Sequence, residues 1–325
     1  FMEHNNYNEF QLKCFSNAEG FITTNGGGGI LTCYFDKKVL FYVPHGKELR
    51  DGYLTKENSY VNKLSDAKVH VVWTLFRSAN KSTDTLSDVT KSDIIFLSVP
   101  TPSNLDGSMN IDIVDKALSD IDEHGTNAVI LLRSTVVPGT TNKLQGKYPN
   151  LRLVFNPEFL TERSANFDFI NQDRVILGGD INDVEVAESL FKSRFGSTIS
   201  ILKTNYETAE LIKYMTNTFF ATKISFLNDM KLIADKSGVI WKDAIDGFIR
   251  DGRVGHSHLD VPGHDGKYGF GGSCFPKDIQ ALINFGNGLG IEMSVLKGAW
   301  KTNLKVRPEK DWENLKGRAI VDENN

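Results

Sequence analysis

The sequence predicts an α/β fold: a doubly wound, mostly parallel sheet followed by an all-α part organised on one long helix. Three observations carry this expectation. Short runs in the first two-thirds of the chain are apolar throughout rather than alternating, as strands buried on both faces require. Polar, helix-capable segments separate those runs, which is the pattern of a sheet crossed by helices. After Ile201 the pattern changes, and from Tyr206 to about Lys236 the chain has neither Pro nor Gly and keeps a helical period.

Taken in order, residues 20–24 read as a first strand, followed by Asn25 and four consecutive glycines. Residues 39–43 and 69–73 read as the next two strands. Residues 93–99 form a buried strand stopped by Pro100-Thr101-Pro102. Residues 111–121 read as a helix with Ile111, Val114, Leu118 and Ile121 on one face. Strands at 128–132, 151–155 and 174–177 complete the sheet. The long helix repeats Leu211, Tyr214, Met215, Thr218, Phe219, Thr222 and Phe226, and Gly238 ends it. Residues 241–249 are again helical, and 250–272 are a loop rich in Gly and His. A further helix opens near Cys274, with Ser273 as its expected N-cap, Pro276 in its first turn, and Ile279, Leu282 and Ile283 at helical spacing. The remainder, from Asn303 to Asn325, is charged, with Trp312 as its anchor.

Composition narrows the function classes. A formal net charge of −4 does not point to nucleic acid or an anionic membrane as partner, and no apolar run is long enough to span a bilayer. Three widely spaced cysteines, Cys14, Cys33 and Cys274, make no disulfide framework and fit a reducing cytoplasm. Residues 1–8 are mostly polar and carry Glu3, unlike a signal peptide.

Ligands of such sheets bind at the carboxyl ends of the strands. Polar clusters stand there at Thr24 to Gly29, at Thr101, and at Ser134-Thr135. Thr24-Asn25-Gly26-Gly27-Gly28-Gly29 is one residue short of the dinucleotide fingerprint. The acid expected about 20 residues on, for the ribose, is missing near Val43. By itself the run serves either a phosphate-binding turn or a plain flexible loop. Glu158 and Glu162 lie four apart after another strand end, as site carboxylates or as solvated loop acids. Lys213 and Asn217 share a face of the long helix, as a site pair or as exposed helix surface.

Gly269-Phe270-Gly271-Gly272-Ser273-Cys274-Phe275-Pro276-Lys277-Asp278 places a thiol at a helix N-terminus, where unpaired N–H groups favour thiolate, and Asp278 one turn beyond it. The alternative there is a buried structural cysteine after a flexible turn. His256, His258 and His264 match no common zinc spacing, and no metal is expected.

Several blocks together resemble the UDP-glucose/GDP-mannose (nucleotide-sugar) 6-dehydrogenase family. They are Ser98-Val99-Pro100-Thr101-Pro102, Arg133-Ser134-Thr135 through Thr141, Asn156-Pro157-Glu158 through Glu162, and Asp173-Arg174-Val175. Ala209-Glu210-Leu211-Ile212-Lys213-Tyr214 through Phe226 follows, then Arg253-Val254-Gly255 with Val261-Pro262-Gly263, and the cysteine stretch itself.

The resemblance implies two successive hydride transfers to NAD, taking a sugar alcohol to a carboxylate. It implies Cys274 as the nucleophile that holds the aldehyde as a thiohemiacetal and then a thioester. Lys213 and Asn217 would stabilise the oxyanion, Asp278 with Lys213 would position water, Glu158 would be the acid/base, and Thr135 would orient water or nicotinamide. Thr24, Gly26, Gly29, Thr101, Glu162 and Lys277 would face the cofactor. Phe159, Leu160, Arg253, Phe270 and Gly271 would hold the nucleotide sugar.

The same resemblance implies a Rossmann-like NAD-binding domain over 1–204, divergent over 1–82, and a central helical dimerisation and catalytic domain over 205–302. A charged tail over 303–325 would stand where the family continues into a C-terminal nucleotide-binding domain. UDP-glucose is the expected substrate, with GDP-mannose or a UDP-N-acetylhexosamine as alternatives. A homodimer built on the long helix and a cytoplasmic location are implied, with no nucleic-acid or membrane partner. The other alternative is a catalytically weak nucleotide-sugar-binding remnant.

Overall fold

The computed structural model describes residues 20–24, 38–43, 69–73, 90, 92–161, 168–169 and 171–322. Its elements are β1 (Gly20–Thr24), β2 (Lys38–Val43), β3 (Val69–Trp73), β4 (Ile94–Ser98), α1 (Asp112–His124), β5 (Val129–Leu132), α2 (Thr140–Lys147), β6 (Arg152–Phe155), β7 (Arg174–Gly179), α3 (Ile181–Phe195) and β8 (Ser200–Thr204). Four helices follow: α4 (Tyr206–Ser237), α5 (Trp241–Ile249), α6 (Phe275–Gly288) and α7 (Ser294–Val306), then a 3-10 turn at Asp311–Asn314. The chain divides into two compact units. One draws on the chain up to Thr101 and on Ile111–Lys213, the other on Pro102–Asn110 and the chain from Tyr214 onward.

In the first unit the eight strands form one sheet in the order β3-β2-β1-β4-β5-β6-β7-β8. Every described pair is parallel except β6 with β7. The order reverses between β1 and β4, which is the doubly wound arrangement expected from the apolar runs. Register then fixes the working edge. Thr23 pairs with Ser98, Leu97 with Leu132, and Leu132 with Phe155. The segments after β4, β5 and β6 therefore leave the sheet along one line of carboxyl ends.

Ile94, Val129, Leu131, Val154, Val175 and Leu177 of the sheet pack with Val184, Ala187 and Phe191 of α3. Each of these apart from Ala187 contributes roughly 1.5–3 kcal/mol on burial, so this contact rather than helix propensity holds α3 in place. Helices α2, α3 and α7 and strand β8 are elements that the sequence pattern does not announce.

In the second unit, Ala221 of α4, Phe270, Ile279 of α6 and Ala299 of α7 form the core, with Ile224, Phe275 and Trp300 packed against it. The segment after Asn303 is part of this unit. Trp312 is buried against Trp300 at 5.3 Å between ring centroids. Ser103 N–H donates to Ala319 O at 2.9 Å, and Val321 N–H donates to Ser103 O at 2.9 Å. Helix α6 starts one residue later than Ser273 as N-cap would require: Cys274 occupies that position and Pro276 lies in the first turn.

Candidate active site

In the first unit, Arg133 and Asn156 follow β5 and β6 directly, so the parallel register delivers both to the same edge. Arg133 is buried and its Nη1 donates to Asn156 Oδ1, while Asn156 Nδ2 donates to Ile176 O at 2.9 Å. Burial draws the Arg133 guanidinium below its ordinary value, and the nearby Glu158 carboxylate opposes that shift. Glu158 Oε2 lies 3.8 Å from Arg133 Nη2, with the Glu158 side chain 43% exposed. It is a carboxylate open to a ligand and backed by a buried cation.

Lys213, from the first turns of α4, is 7% exposed, and its ammonium donates to the Glu158 carbonyl oxygen. The Phe159 ring has two cations close to it, Lys213 Nζ at 5.5 Å and Arg174 Cζ at 4.7 Å from its centroid. Lys213 is therefore gathered into this cluster and is not an exposed helix-surface lysine.

The loops after β4 and β5 are stitched to each other. Val99 N–H donates to Ser134 Oγ at 2.9 Å, Ser134 Oγ donates to Val99 O at 2.7 Å, and the buried Thr101 hydroxyl donates to Thr135 O at 2.9 Å. Thr135 itself is half-buried, as is Leu160. Glu210 of α4 is fully buried and caps α2, accepting from Gly139 N–H at 2.5 Å and Thr141 N–H at 2.7 Å. Burial pushes its carboxyl up to about 7 against the pull of those donors.

In the second unit, Cys274 is exposed at the start of α6, and its carbonyl accepts from Asp278 N–H at 2.9 Å. Asp278 is 1% exposed, held by Asn217 Nδ2 at 2.6 Å and Lys277 Nζ at 2.5 Å. Lys277 is thus spent on a buried ion pair here. Phe270 is buried, and His258 stacks on Phe220 at 4.1 Å between ring centroids and lies 5.4 Å from the tilted Phe275 ring. Lys223 Nζ donates to the carbonyls of Val254, Gly255 and Ser257, which pins the loop before α6. Arg253 is 90% exposed and pairs with Asp251 at 2.5 Å. Among the described residues no three His, Cys, Asp or Glu side chains stand together as metal ligands.

Each unit thus gathers part of the expected set: Glu158, Phe159, Lys213, Thr101 and Thr135 in the first, Asn217, Lys277, Asp278, Cys274, Phe270 and Gly271 in the second. Gly26, Gly29 and Glu162 lie outside the described residues. Arg133, Asn156 and Arg174, named in the family-like blocks but given no role there, join the site. Beyond those blocks their signal was position: each borders a strand end that faces the same edge.

Two family models match the chain: the NAD binding domain of the UDP-glucose/GDP-mannose dehydrogenase family over residues 60–194, and the central domain of the same family over 207–305. Together they cover more than half of the sequence. The chain belongs to the UDP-glucose/GDP-mannose dehydrogenase family. Similar curated members include UDP-glucose 6-dehydrogenase of Rickettsia typhi, 38% identical over 231 residues, which are 68% of this chain and 51% of that protein. UDP-glucose 6-dehydrogenase TuaD of Bacillus subtilis is 34% identical over 69% of this chain and 49% of its own length. The chain spans about half the length of these relatives.

Among solved structures, a UDP-glucose dehydrogenase from Pyrobaculum islandicum superposes with a TM-score of 0.71 at 27% identity, covering 89% of this chain and 69% of that one. A UDP-D-ManNAc dehydrogenase from Pyrococcus horikoshii shares the fold at a TM-score of 0.66 and 22% identity, over 88% of this chain and 68% of that one.

The scaffold fits the dinucleotide that the family's domain binds. The strand order reverses between β1 and β4, and Thr24 and Ser98 end those two strands. Strand β2 closes on Tyr42-Val43, neither of which is a carboxylate for the ribose hydroxyls.

Proposed function

We propose that the chain oxidises the C6 alcohol of a nucleotide sugar to the carboxylate, with UDP-glucose as substrate and Cys274 as covalent centre. The observation that carries this is Asp278. It is a buried carboxylate held by Asn217 and Lys277, one helical turn beyond an exposed thiol at a helix N-terminus. A buried ion pair is a costly arrangement to keep beside a thiol with no chemistry to do. Bound NAD supplies the hydride acceptor, one molecule for each oxidation.

Thr24 and Thr101 stand on the cofactor side, at the reversal point of the sheet. Glu158, exposed and backed by Arg133, takes the hydroxyl proton as the alcohol becomes an aldehyde. The Cys274 thiolate adds to the aldehyde carbon, forming a C–S bond and an oxyanion. Lys213 and Asn217, one turn apart on α4, stabilise that charge. Loss of the second hydride leaves a thioester at Cys274. Water, deprotonated with the help of Asp278 and Lys213, attacks its carbonyl carbon and breaks the C–S bond, releasing carboxylate and thiol. Phe159, Leu160, Phe270, Gly271 and Arg253 hold the nucleotide sugar. The reaction runs in the cytoplasm, in keeping with three widely spaced cysteines.

Incubating the protein with NAD and a panel of UDP- and GDP-sugars, and following absorbance of the reduced cofactor, tests this reading. Turnover with UDP-glucose that is lost in Cys274→Ser is expected. Turnover confined to GDP-mannose or a UDP-N-acetylhexosamine would change the substrate but keep the chemistry. No turnover with any sugar by the folded protein would leave a nucleotide-sugar-binding protein instead, as the end of β2 would allow.

A further inference from the structure

We propose that Asn303 and Arg307, from the last turn of α7 and the residue after it, are positioning residues that set the glycine turn leading into Cys274. The inference rests on the reading that this turn and its thiol do the chemistry. The geometry lies within the second unit. Asn303 is fully buried, and its amide makes a two-point clamp on one residue: Phe270 N–H donates to Oδ1 at 2.7 Å and Nδ2 donates to Phe270 O at 3.0 Å. An asparagine used this way mimics a neighbouring strand, in a place where the turn has none. Gly269 N–H donates in turn to Asn228 Oδ1 at 3.0 Å, a single bond beside the two-point clamp.

Arg307 adds a plane. Its side chain is 3% exposed and bonds Asp311 at 2.8 and 2.7 Å, Asp265 at 2.6 Å and the Tyr268 carbonyl at 3.3 Å. The guanidinium lies against Gly271, where a Cβ would meet Nη2 at 2.6 Å, Cζ at 2.7 Å and Nε at 2.8 Å. Gly271 is glycine because Arg307 occupies the space of its side chain. One cation thus joins the loop before the turn, the turn itself and the 3-10 segment beyond α7. The residues after Asn303 are therefore part of the scaffold of Cys274. Lysine cannot replace this contact, since a single ammonium does not span three acceptors while lying flat on a backbone.

The test compares Arg307→Met, Gly271→Ala and their combination in the full chain, with thermal melting as the check of folding. The expected result for Arg307→Met is a rise of about tenfold in KM for the nucleotide sugar, with KM for NAD within about twofold of the parent. A merely structural role would lower the active fraction and leave both KM values unmoved. Gly271→Ala should give a similar loss, and the double variant should be no worse than either single, because each disturbs the same contact.

The rate at which iodoacetamide modifies Cys274, read on its own peptide so that Cys14 and Cys33 do not interfere, should change in the same three variants. Arg307→Met that folds yet leaves KM and the Cys274 modification rate within about twofold overturns the proposal, as does strict additivity of the two substitutions. If Arg307→Met does not fold, Arg307→Lys is read by the same criteria. If no sugar is turned over at all, the proposed function fails, and Cys274 modification still decides the clamp.

Discussion

Asp278 and Lys277 are adjacent in sequence and both buried, so each is the other's main compensation for leaving water. Removing one should cost more than the pair itself is worth. Asp278→Ala strands the Lys277 ammonium, and chemical denaturation should show a loss of roughly 3–5 kcal/mol. A loss below about 1 kcal/mol would mean that the pair is reached by water, as exposed pairs are.

Glu210 gives a pH-dependent expectation. Its folded value is raised to about 7 while the unfolded carboxyl titrates at its ordinary value of 4.5, so the folded state holds a proton that the unfolded state has lost. The stability linked to that proton is present below about pH 4.5 and is lost as pH rises through about 7. The stability of the parent relative to Glu210→Gln should therefore fall by on the order of 3 kcal/mol across that window. A difference that stays flat with pH contradicts it.

Lys213 shows where residue-level reading stops. Spacing places Lys213 and Asn217 on one face of a helix, but spacing is the same for an exposed pair. What buries Lys213 is the Glu158 carbonyl and the Phe159 ring, more than fifty residues away in sequence.

At the level of elements, Gly178 illustrates a close approach. A Cβ there would meet Ala209 Cβ and Asn205 O at 2.6 Å each, so the end of β7 touches the start of α4 through bare backbone. Gly178→Ala should destabilise the protein by about 1–3 kcal/mol, measured by thermal or urea melting, with little change in any KM. The central strands were readable because burial on both faces leaves an unbroken apolar run. Edge strand β8 was not, since Ser200, Leu202 and Lys203 are exposed and little in Ser-Ile-Leu-Lys-Thr marks a strand. Helix α7 buries only Ala299 and Asn303, so its apolar period is faint, and the buried member that matters most is polar. The cysteine stretch, by contrast, could be read because glycines, proline and an i, i+4 acid cluster within ten residues.

For the whole molecule, the long helix leaves a seam uncovered. Met215, Phe219, Phe226 and Ile233, spaced four, seven and seven apart, are 59%, 62%, 49% and 57% exposed. A repeat of this kind suits a second copy of the same helix across a two-fold axis, and we propose a homodimer on it. Phe219→Glu should shift the protein to a monomer in sedimentation velocity, and a parent that sediments as a monomer contradicts the dimer. Family membership was legible because short blocks of chemistry-bearing residues recur in order. The first 59 residues lie outside both family matches, and there the glycine run and the end of β2 depart from the dinucleotide pattern.

The central claim is that Cys274 carries one sugar through both oxidations without releasing the aldehyde. Counting reduced cofactor formed per nucleotide sugar consumed tests it most directly. A ratio close to two is expected for the parent, with sustained turnover lost in Cys274→Ser, because the thiohemiacetal is what presents the second hydride. A ratio of one in the parent, or an unchanged ratio of two in Cys274→Ser, would contradict the covalent route.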